Sequence, residues 1–253
     1  MTGNLLDKLK GHPHMTEGTA YAILFTMGTC HLLNDMIQSV IPALYPLLKD
    51  KFGFNFAQIG IITLVFQMTS SVFQPFVGNY ADRHPQPYSL ALGMCFTLAG
   101  LLALAFAPGF IAILLSVALI GCGSSVFHPE ASRVAQMASG GRKSLAQSIF
   151  QVGGNGGSAV GPLLAALIVM PYGQHAVGWF ALAAMLAAAL LTRVGCWYSL
   201  MLKQLKATHG RRAAATCTLP AKTVRMALAI LVLMIFSKYF FNACMTSYFT
   251  FFL

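Results

Sequence analysis

The sequence has 253 residues, of which 57% are hydrophobic and only 9% are charged, whereas soluble domains average roughly 45 to 50% apolar and 25% charged residues. Its 16 basic and 6 acidic side chains are too few to cover the surface of a soluble globular enzyme of this length, so that class is excluded and an integral membrane protein is expected. The net charge of +10 is spread between apolar runs rather than gathered on a polar module, which argues against a nucleic-acid partner.

Seven apolar, nearly uncharged runs follow one another along the chain. Each is about as long as the 20 residues that cross a hydrocarbon core as an α-helix, and none shows the alternation typical of membrane β-strands. The sequence therefore predicts an all-α integral membrane fold, with a six-helix amino-terminal bundle followed by a partial or complete seventh helix. The runs lie near residues 19–48, 56–81, 88–107, 110–132, 144–170, 176–198 and 226–253.

The more polar stretches between these runs predict the domain organisation. Residues 1–18 form a cytoplasmic tail, residues 19–198 the six-helix bundle, residues 199–225 a basic cytoplasmic linker, and residues 226–253 the seventh helix. Since the chain stops within an apolar run, we expect most of a second half to be missing.

The distribution of Lys and Arg predicts the orientation in the membrane. In the tail and the connections, every basic residue except Lys49 and Lys51 falls on the side of the amino terminus. Basic residues collect on the cytoplasmic side of membrane proteins. We therefore expect a multi-pass protein of the cell inner (plasma) membrane with its amino terminus in the cytoplasm.

The first run carries a polar face. His31, Asp35 and Gln38 are spaced i, i+4 and i+7, so they share one side of a helix. Asp35 lies about 24 Å along that helix, where a charged side chain costs roughly 2.5 to 3.5 kcal/mol on insertion scales. Since removal from water favours the protonated carboxyl group, Asp35 is predicted to carry a proton with help from His31. The alternative is a purely structural hydrogen bond between the two.

Polar side chains also recur at helical spacing in later runs. Together with Gln38 they predict an aqueous substrate cavity, although such stripes can also hold helices together by hydrogen bonds. Lys238 in the seventh run is predicted to balance Asp35 or to attract an anionic substrate, the alternative being a structural ion pair. The other predicted cavity residues are Gln67, Ser71 and Gln74 in the second run and Gln151 and Asn155 in the fifth.

The fourth run ends with His128-Pro129-Glu130. These two titratable side chains near the cytoplasmic end of a helix are candidates for a gate or a second proton site. Capping of the interface and pairing of Glu130 with Arg133 is the equally open alternative.

Two motifs are expected to govern helix movements. Gly78, Asp82 and Arg83 end the second run, and their spacing resembles the Gly-x-x-x-Asp-Arg loop signature of the major facilitator superfamily. In the fifth run, Gly157, Gly161 and Pro162 resemble the Gly-x-x-x-Gly-Pro signature of that family's antiporters. Two Gly residues four positions apart make a groove for a neighbouring helix, and the Pro permits a bend.

The segments His31-Leu32-Leu33-Asn34-Asp35 and Phe127-His128-Pro129-Glu130-Ala131 more specifically resemble the fosmidomycin-resistance branch of drug exporters. The resemblance implies a twelve-helix transporter that works by alternating access between two halves. It also implies proton-coupled efflux of a small drug or phosphonate-like compound, with the substrate, protons and the lipid bilayer as partners and no cofactor or metal.

Two other functions stay open at this point. A symporter or facilitator for an anionic metabolite would use Lys238 and His31 as cations. A membrane-embedded enzyme would use His31 and Asp35 as acid and base, but the sequence has no Gly-x-Ser-x-Gly or HExxH motif to support it.

Overall fold

The computed structural model describes residues 18–208 and 220–249. The predicted cytoplasmic tail, except its last residue, and the central part of the predicted linker lie outside these ranges. Within them every regular element is a helix, so the predicted all-α fold is confirmed. The described chain divides into two compact units, residues 1–203 and residues 204–253.

The first predicted run is divided into two helices. Helix α1 spans Tyr21–Ala43 and α2 spans Tyr45–Phe52. Pro42 lies in the last turn of α1, and the next proline occupies the first turn of α2, where its missing N–H costs nothing. Helix α2 ends at Gly53 in the left-handed conformation, with φ at 66°, which is the usual helix-ending role of glycine.

The second run is interrupted in its middle by a π-helical turn. Helix α3 spans Phe56–Gln67, the π-helix spans Met68–Val72, and α4 spans Gln74–Arg83. The side chain of Asn55 accepts from the backbone N–H of Gln58, and the Gln58 side chain accepts from the backbone N–H of Asn55. This reciprocal pair satisfies free amides at the start of α3.

The remaining elements follow in chain order. The bundle continues with four longer helices, one for each of the third to sixth predicted runs, and the fifth run again contains a π-helix. These elements are α5 (Ser89–Ala105), α6 (Phe110–Met137), α7 (Lys143–Leu164), a second π-helix (Ala165–Val169), the short α8 (Met170–Tyr172), a 3₁₀-helix (Gln174–Trp179), α9 (Phe180–Thr208) and α10 (Ala221–Phe249).

Within the described residues, five helical segments are long and apolar enough to cross a membrane. Helix α5 is apolar but has 17 residues. Helix α1 has 23 residues and is not among the five, because His31, Asn34, Asp35 and Gln38 lower its hydropathy. The five segments are Phe56–Arg83, Phe110–Met137, Lys143–Tyr172, Gln174–Leu205 and Lys222–Phe241.

Helices extend into the predicted linker from both sides. Helix α9 continues to Thr208, past Lys203 and Lys206, and α10 begins at Ala221. Lysine is a good helix former, so a change from apolar to basic residues marks the membrane edge without ending the helix. Pro220 directly precedes α10, and the backbone carbonyl of Pro220 accepts the N–H of Val224 in its first turn.

Glycine allows close packing of α1 on α7 and of α5 on α6 in the first unit. A Cβ atom on Gly153 would overlap the backbone of Gly28, and one on Gly157 would overlap the carbonyl of Leu32, so α7 lies directly against α1. In the same way, a Cβ on Gly123 of α6 would overlap the backbone of Gly93 in α5. Small residues at these crossings let the backbones approach closely, which is the usual basis of helix association in membranes.

Candidate functional site

Helix α1 places the side chains of His31 and Asp35 in contact. The Nε2 atom of His31 lies 3.2 Å from Oδ2 of Asp35, as expected for two residues four positions apart on one helix. The His31 side chain is 4% exposed and the Asp35 side chain 19%. The carboxyl group therefore keeps limited access to solvent, while the imidazole is enclosed by protein.

A second imidazole reaches the same carboxyl group from α6. Nε2 of His128 lies 3.7 Å from Oδ1 of Asp35, and the His31 and His128 rings meet edge to face with centroids 5.3 Å apart. Three of the four predicted proton-coupling residues, His31, Asp35 and His128, are thus brought together. The fourth, Glu130, interacts with a different partner.

Two amide side chains hold the other oxygen of Asp35. Nδ2 of Asn34 donates to Oδ1 at 3.0 Å, and Nε2 of Gln38 donates to the same atom at 3.4 Å. The Gln38 amide also lies 3.4 Å from Nε2 of His128. Since the Gln38 amide nitrogen can donate two hydrogens, it links the carboxyl group of α1 to the imidazole of α6.

Helix α7 fixes the orientation of His31. Nδ1 of His31 lies 2.7 Å from the backbone carbonyl oxygen of Phe150, and the His31 ring stacks on the Phe150 ring with centroids 3.9 Å apart and planes 17° from parallel. Behind the ring, a Cβ atom on Gly154 would overlap Cε1 of His31 and approach Oδ2 of Asp35 to 2.9 Å. The absence of a side chain at Gly154 therefore makes room for the His31–Asp35 contact.

His31, Asp35 and His128 also belong to the residue types that bind metals, and their ligand atoms all lie within 4.8 Å of one another. However, the Gln38 amide already occupies ligand atoms of two of these residues, Asp35 and His128. Gln38 donates to Asp35 and faces Nε2 of His128, so a metal would have to displace the amide. This arrangement favours a proton over a resident metal ion.

A second cluster of charges lies next to this one, slightly further along α6. Nη1 of Arg133 donates to Oε1 of Glu130 at 3.3 Å and to the backbone carbonyl of Ala81 at 2.7 Å, and it lies 3.6 Å from Oδ1 of Asp82. The Glu130 side chain is only 1% exposed. Its Oε2 atom and the hydroxyl of Tyr198 are buried without a hydrogen-bond partner in the described part of the chain. The pairing of Glu130 with Arg133 is therefore present, and a role of Glu130 in proton transfer stays a prediction.

The predicted polar stripes lie on the outside of the first unit. Gln67, Ser71, Gln151 and Asn155 are exposed. Their hydrogen bonds, from Ser71 to Gln67 at 3.3 Å and from Gln151 to Asn155 at 3.4 Å, stay within one helix. These two hydrogen bonds do not join helices, whereas Ser132 of α6 donates to Gln147 of α7 at 3.3 Å.

The π-helix changes the stripe in the second run. Uniform α-helical spacing would place Gln67, Ser71 and Gln74 on one face, but Gln74 is half-buried whereas Gln67 and Ser71 are exposed. The Gln74 amide instead donates to the backbone carbonyl of Ser70 at 2.8 Å. A π-turn holds more residues than an α-turn, so it changes the angle between Gln67 and Gln74 around the helix axis.

An open polar cavity of about 620 Å³ lies between the end of α6 and the first half of α7. Its wall is rich in amide and hydroxyl groups and contains one lysine. Gln151 is shared between this cavity and the predicted stripe of α7. The lining residues are Ser132, Gln136, Lys143, Ser144, Gln147, Ser148 and Gln151.

The three residues of the predicted loop motif differ in the contacts they make with α6. Asp82 reaches Arg133 although its side chain is 74% exposed, and Arg83 is exposed at the end of α4. A Cβ on Gly78 would lie 3.5 Å from Cβ of Pro129, which is ordinary van der Waals contact. Close approach at this crossing therefore does not require glycine at Gly78.

The motif of the fifth run lies at the α1–α7 interface. A Cβ on Gly157 would overlap the backbone of Leu32, and one on Gly161 would overlap the side chain of Ser39 and the carbonyl of Met36. Pro162 lies inside α7, and the helix changes to π geometry three residues later. A proline inside a helix removes a backbone hydrogen bond, which accounts for irregular geometry at this point.

Lys238 belongs to α10 in the second unit. Its Nζ atom lies 5.7 Å from the centroid of the neighbouring Tyr239 ring, a distance suitable for a cation–π contact. Its predicted interaction with Asp35 or with a substrate stays a prediction.

The helices and the site define a multi-pass membrane protein with a polar cluster inside its helix bundle. The chain belongs to the Major Facilitator Superfamily, whose sequence profile matches residues 27–253. This confirms the resemblance seen in the two sequence motifs, and the family consists of transporters rather than enzymes.

Two curated relatives are similar over most of the chain. The fosmidomycin resistance protein of Escherichia coli (strain K12) is 56% identical over 236 residues, which cover 93% of this chain and 57% of the relative. An uncharacterized MFS-type transporter, YfnC, of Bacillus subtilis (strain 168) is 48% identical over 213 residues, which cover 84% of this chain and 52% of that protein. The chain thus spans about half the length of the curated relatives it matches.

Solved structures share the fold at lower identity. A crystal structure of a peptide transporter POT is 20% identical, with a TM-score of 0.58 and coverage of 88% of this chain and 46% of that one. A crystal structure of tetrameric PepTSo2 is 16% identical, with a TM-score of 0.55 and coverage of 91% of this chain and 50% of that one. At these identities the similarity shows the fold alone.

Three contributions to the site were missed from the sequence. Asn34 supplies a hydrogen bond to Asp35, Phe150 supplies its backbone carbonyl, and Gly154 supplies space. Asn34 and Gln38 donate to the same oxygen of Asp35. Helical periodicity does not predict a side-chain contact between adjacent residues such as Asn34 and Asp35. The consecutive glycines Gly153 and Gly154 were the available signal for a close contact in the fifth run.

Proposed function

We propose that this chain is part of a proton-coupled exporter of a small drug or phosphonate-like compound. The observation that carries the proposal is the partly exposed carboxyl group of Asp35, held between the imidazoles of His31 and His128 inside the bundle. Ionisable side chains inside a membrane bundle are energetically costly, and their presence there generally marks a functional site. The similarity to the fosmidomycin resistance protein supports the substrate class.

In this mechanism, Asp35 takes up a proton from the side at which the cavity is open. Neutralisation of the carboxyl group changes the relative stability of the outward-open and inward-open states, so that a proton moves inward as the substrate moves outward. His31 and His128 keep a proton acceptor on each side of the carboxyl group. The stripes of Gln67, Ser71, Gln151 and Asn155, with Gln38, bind the substrate.

The orientation and domain organisation belong to the same proposal. We place the protein in the cell inner membrane with its amino terminus in the cytoplasm. Basic residues collect in the tail and in the connections that follow the second, fourth and sixth apolar runs, and such residues favour the cytoplasmic side. On this orientation the Arg133 cluster lies at the cytoplasmic edge. There it joins the loop motif at Asp82 to α6 and resists opening on that side.

Transport into inverted membrane vesicles tests the proposal. The complete gene product should accumulate fosmidomycin when the vesicle interior is acidified, and Asp35→Asn should abolish the accumulation because the amide cannot exchange a proton. Asp50→Asn, which removes an exposed carboxyl group of α2, is the matched control and should transport normally. Undiminished accumulation in Asp35→Asn would reject the role of Asp35. Substrate uptake that follows the proton instead of opposing it would favour the anion symporter.

A further inference from the structure

The hydrogen bonds of His31 determine where its hydrogen atoms lie. Nδ1 is 2.7 Å from the carbonyl oxygen of Phe150. A carbonyl oxygen can only accept, so Nδ1 must carry a hydrogen and donate it. In the uncharged ring the other nitrogen, Nε2, is then without hydrogen and is itself an acceptor.

Nε2 of His31 nevertheless lies 3.2 Å from Oδ2 of Asp35. An ionised carboxylate also offers only lone pairs, so an uncharged imidazole and an ionised carboxylate would repel each other at this contact. One proton between the two atoms makes the contact attractive, whether it is bonded to Oδ2 or to Nε2. In both cases the pair has no net charge, which suits a site inside the membrane.

We propose that His31 and Asp35 hold a single proton between Nε2 and Oδ2 in this conformation, and that loss of this proton loosens the packing of α1 against α7. The proton follows from the contact itself; its use in transport rests on the proposed function. The inference assigns Phe150 and Gly154 as positioning residues, which act on the proton through His31.

The surroundings prevent the pair from relaxing on its own. The His31 ring is stacked on Phe150 at 3.9 Å and bonded to its carbonyl, and Gly154 packs behind it. The carboxyl group of Asp35 cannot turn away without losing the hydrogen bonds of Asn34 and Gln38 to Oδ1. Since both side chains are held, the repulsion that follows proton loss acts on the two helices that carry them.

The titratable groups that face the His31–Asp35 pair are compatible with one shared proton. From α6, the titratable neighbour is His128, with Nε2 3.7 Å from Oδ1 of Asp35 and in contact with the Gln38 amide. Because the Gln38 amide donates, Nε2 of His128 accepts, and its ring is uncharged in this conformation. From α7, the pair is faced by Phe150 and Gly154, which do not titrate. Glu130 in α6 is paired with Arg133.

Asp35→Asn imitates the protonated pair. The Asn side chain has nearly the same shape, and its amide can donate to Nε2 of His31 while its oxygen still accepts from Asn34 and Gln38. The contact then no longer needs an exchangeable proton. The variant should therefore keep α1 packed on α7 at every pH.

Hydrogen–deuterium exchange of the complete gene product in nanodiscs tests this directly. After correction for the chemical exchange rate, backbone exchange in α1 and α7 around Gly154 should rise several-fold with increasing pH in the wild type and stay constant in Asp35→Asn. The α5–α6 contact at Gly93 and Gly123 is the internal control, because it is packed in the same way by residues that do not titrate. Its exchange should be independent of pH.

A glycine pair supplies a second, matched test. Gly154→Ala displaces His31, so exchange around it should be raised at all pH values, whereas Gly156→Ala, whose Cβ would lie 3.6 Å from Leu32, should behave like the wild type. An equal pH response in Asp35→Asn and in the wild type, or no response in the wild type, would overturn the inference. Exchange does not depend on transport. A transporting Asp35→Asn variant with constant exchange would therefore reject the proposed function and leave the inference standing.

Discussion

Arg133 of α6 donates a hydrogen bond of 2.7 Å to the backbone carbonyl of Ala81, within the last turn of α4. The carbonyls at a helix end have no partner inside the helix, so this bond ties the end of one helix to the side of another. The same guanidinium group is the partner of the buried Glu130 carboxyl group. One side chain thus joins a helix end, an exposed acid of the loop motif and a buried acid.

Removal of the Arg133 guanidinium should destabilise the bundle. Arg133→Gln leaves Glu130 buried without its counter-charge, which typically costs about 3 to 5 kcal/mol. Thermal unfolding in detergent should show a clear decrease for this variant. Arg142→Gln, which removes an exposed guanidinium bonded to the hydroxyl of Tyr21, should change stability little. The double variant Arg133→Gln, Glu130→Gln should recover part of the loss, and no recovery would contradict the assigned pairing.

The glycine contact between α5 and α6 should tolerate no side chain. A Cβ on Gly123 would overlap the side chain of Thr97 and the backbone carbonyl of Gly93, so Gly123→Ala should cost about 1 to 3 kcal/mol, as overpacking usually does. Gly60→Ala on α3 has no atom within 4 Å of its new Cβ. That control should be stabilised by roughly 0.8 to 1 kcal/mol, the helix propensity difference. Equal stabilities of the two variants would show that the α5–α6 crossing is looser than described.

Cysteine labelling can decide whether the polar stripes face water. In a background without native cysteines, Ser71→Cys, Gln151→Cys and Asn155→Cys should react with a membrane-impermeant maleimide once the cavity opens. Phe25→Cys is the informative control, because Phe25 is 60% exposed on the bundle but apolar; a lipid-facing thiol should react slowly. If the three stripe positions react as slowly as position 25, they face lipid or a covering helix and do not line the cavity.

The membrane orientation has an equally direct test. Lys143→Cys at the start of α7 should be labelled only from the cytoplasmic side of the membrane, and Lys49→Cys in α2 only from the opposite side. Intact cells and inverted vesicles expose the two sides separately. The reverse pattern would contradict the orientation derived from the basic residues.

Hydropathy and helical periodicity predicted the parts of this protein that depend on one helix at a time. Apolar length predicted the spans, and the i, i+4 spacing predicted that His31 and Asp35 meet. Contacts across helices were beyond these patterns, because nothing in the sequence states which turn of α6 or α7 faces Asp35. His128 was therefore named as a candidate without its partner, and the carbonyl of Phe150 carries no side-chain signal.

Helix ends and π-helical turns also could not be predicted from these sequence patterns. Lysines mark the predicted membrane edge, but α9 continues past Lys203 and Lys206 to Thr208 because charge does not end a helix. The π-helices were missed for a related reason: their hydrogen bonds depend on local packing, and Met68–Val72 contains no residue that demands them.

The π-helical turn at Met68–Val72 sets the rotational phase between the two ends of its membrane segment. A π-turn contains about one residue more than an α-turn, and each residue of an α-helix turns by about 100°. If the same residues were wound as a continuous α-helix, α4 would be rotated by about that angle relative to α3, and the wider π-turn prevents this. Asp82 and the carbonyl of Ala81 would then face away from Arg133, so their contacts with Arg133 depend on a wide turn some ten positions earlier in the chain.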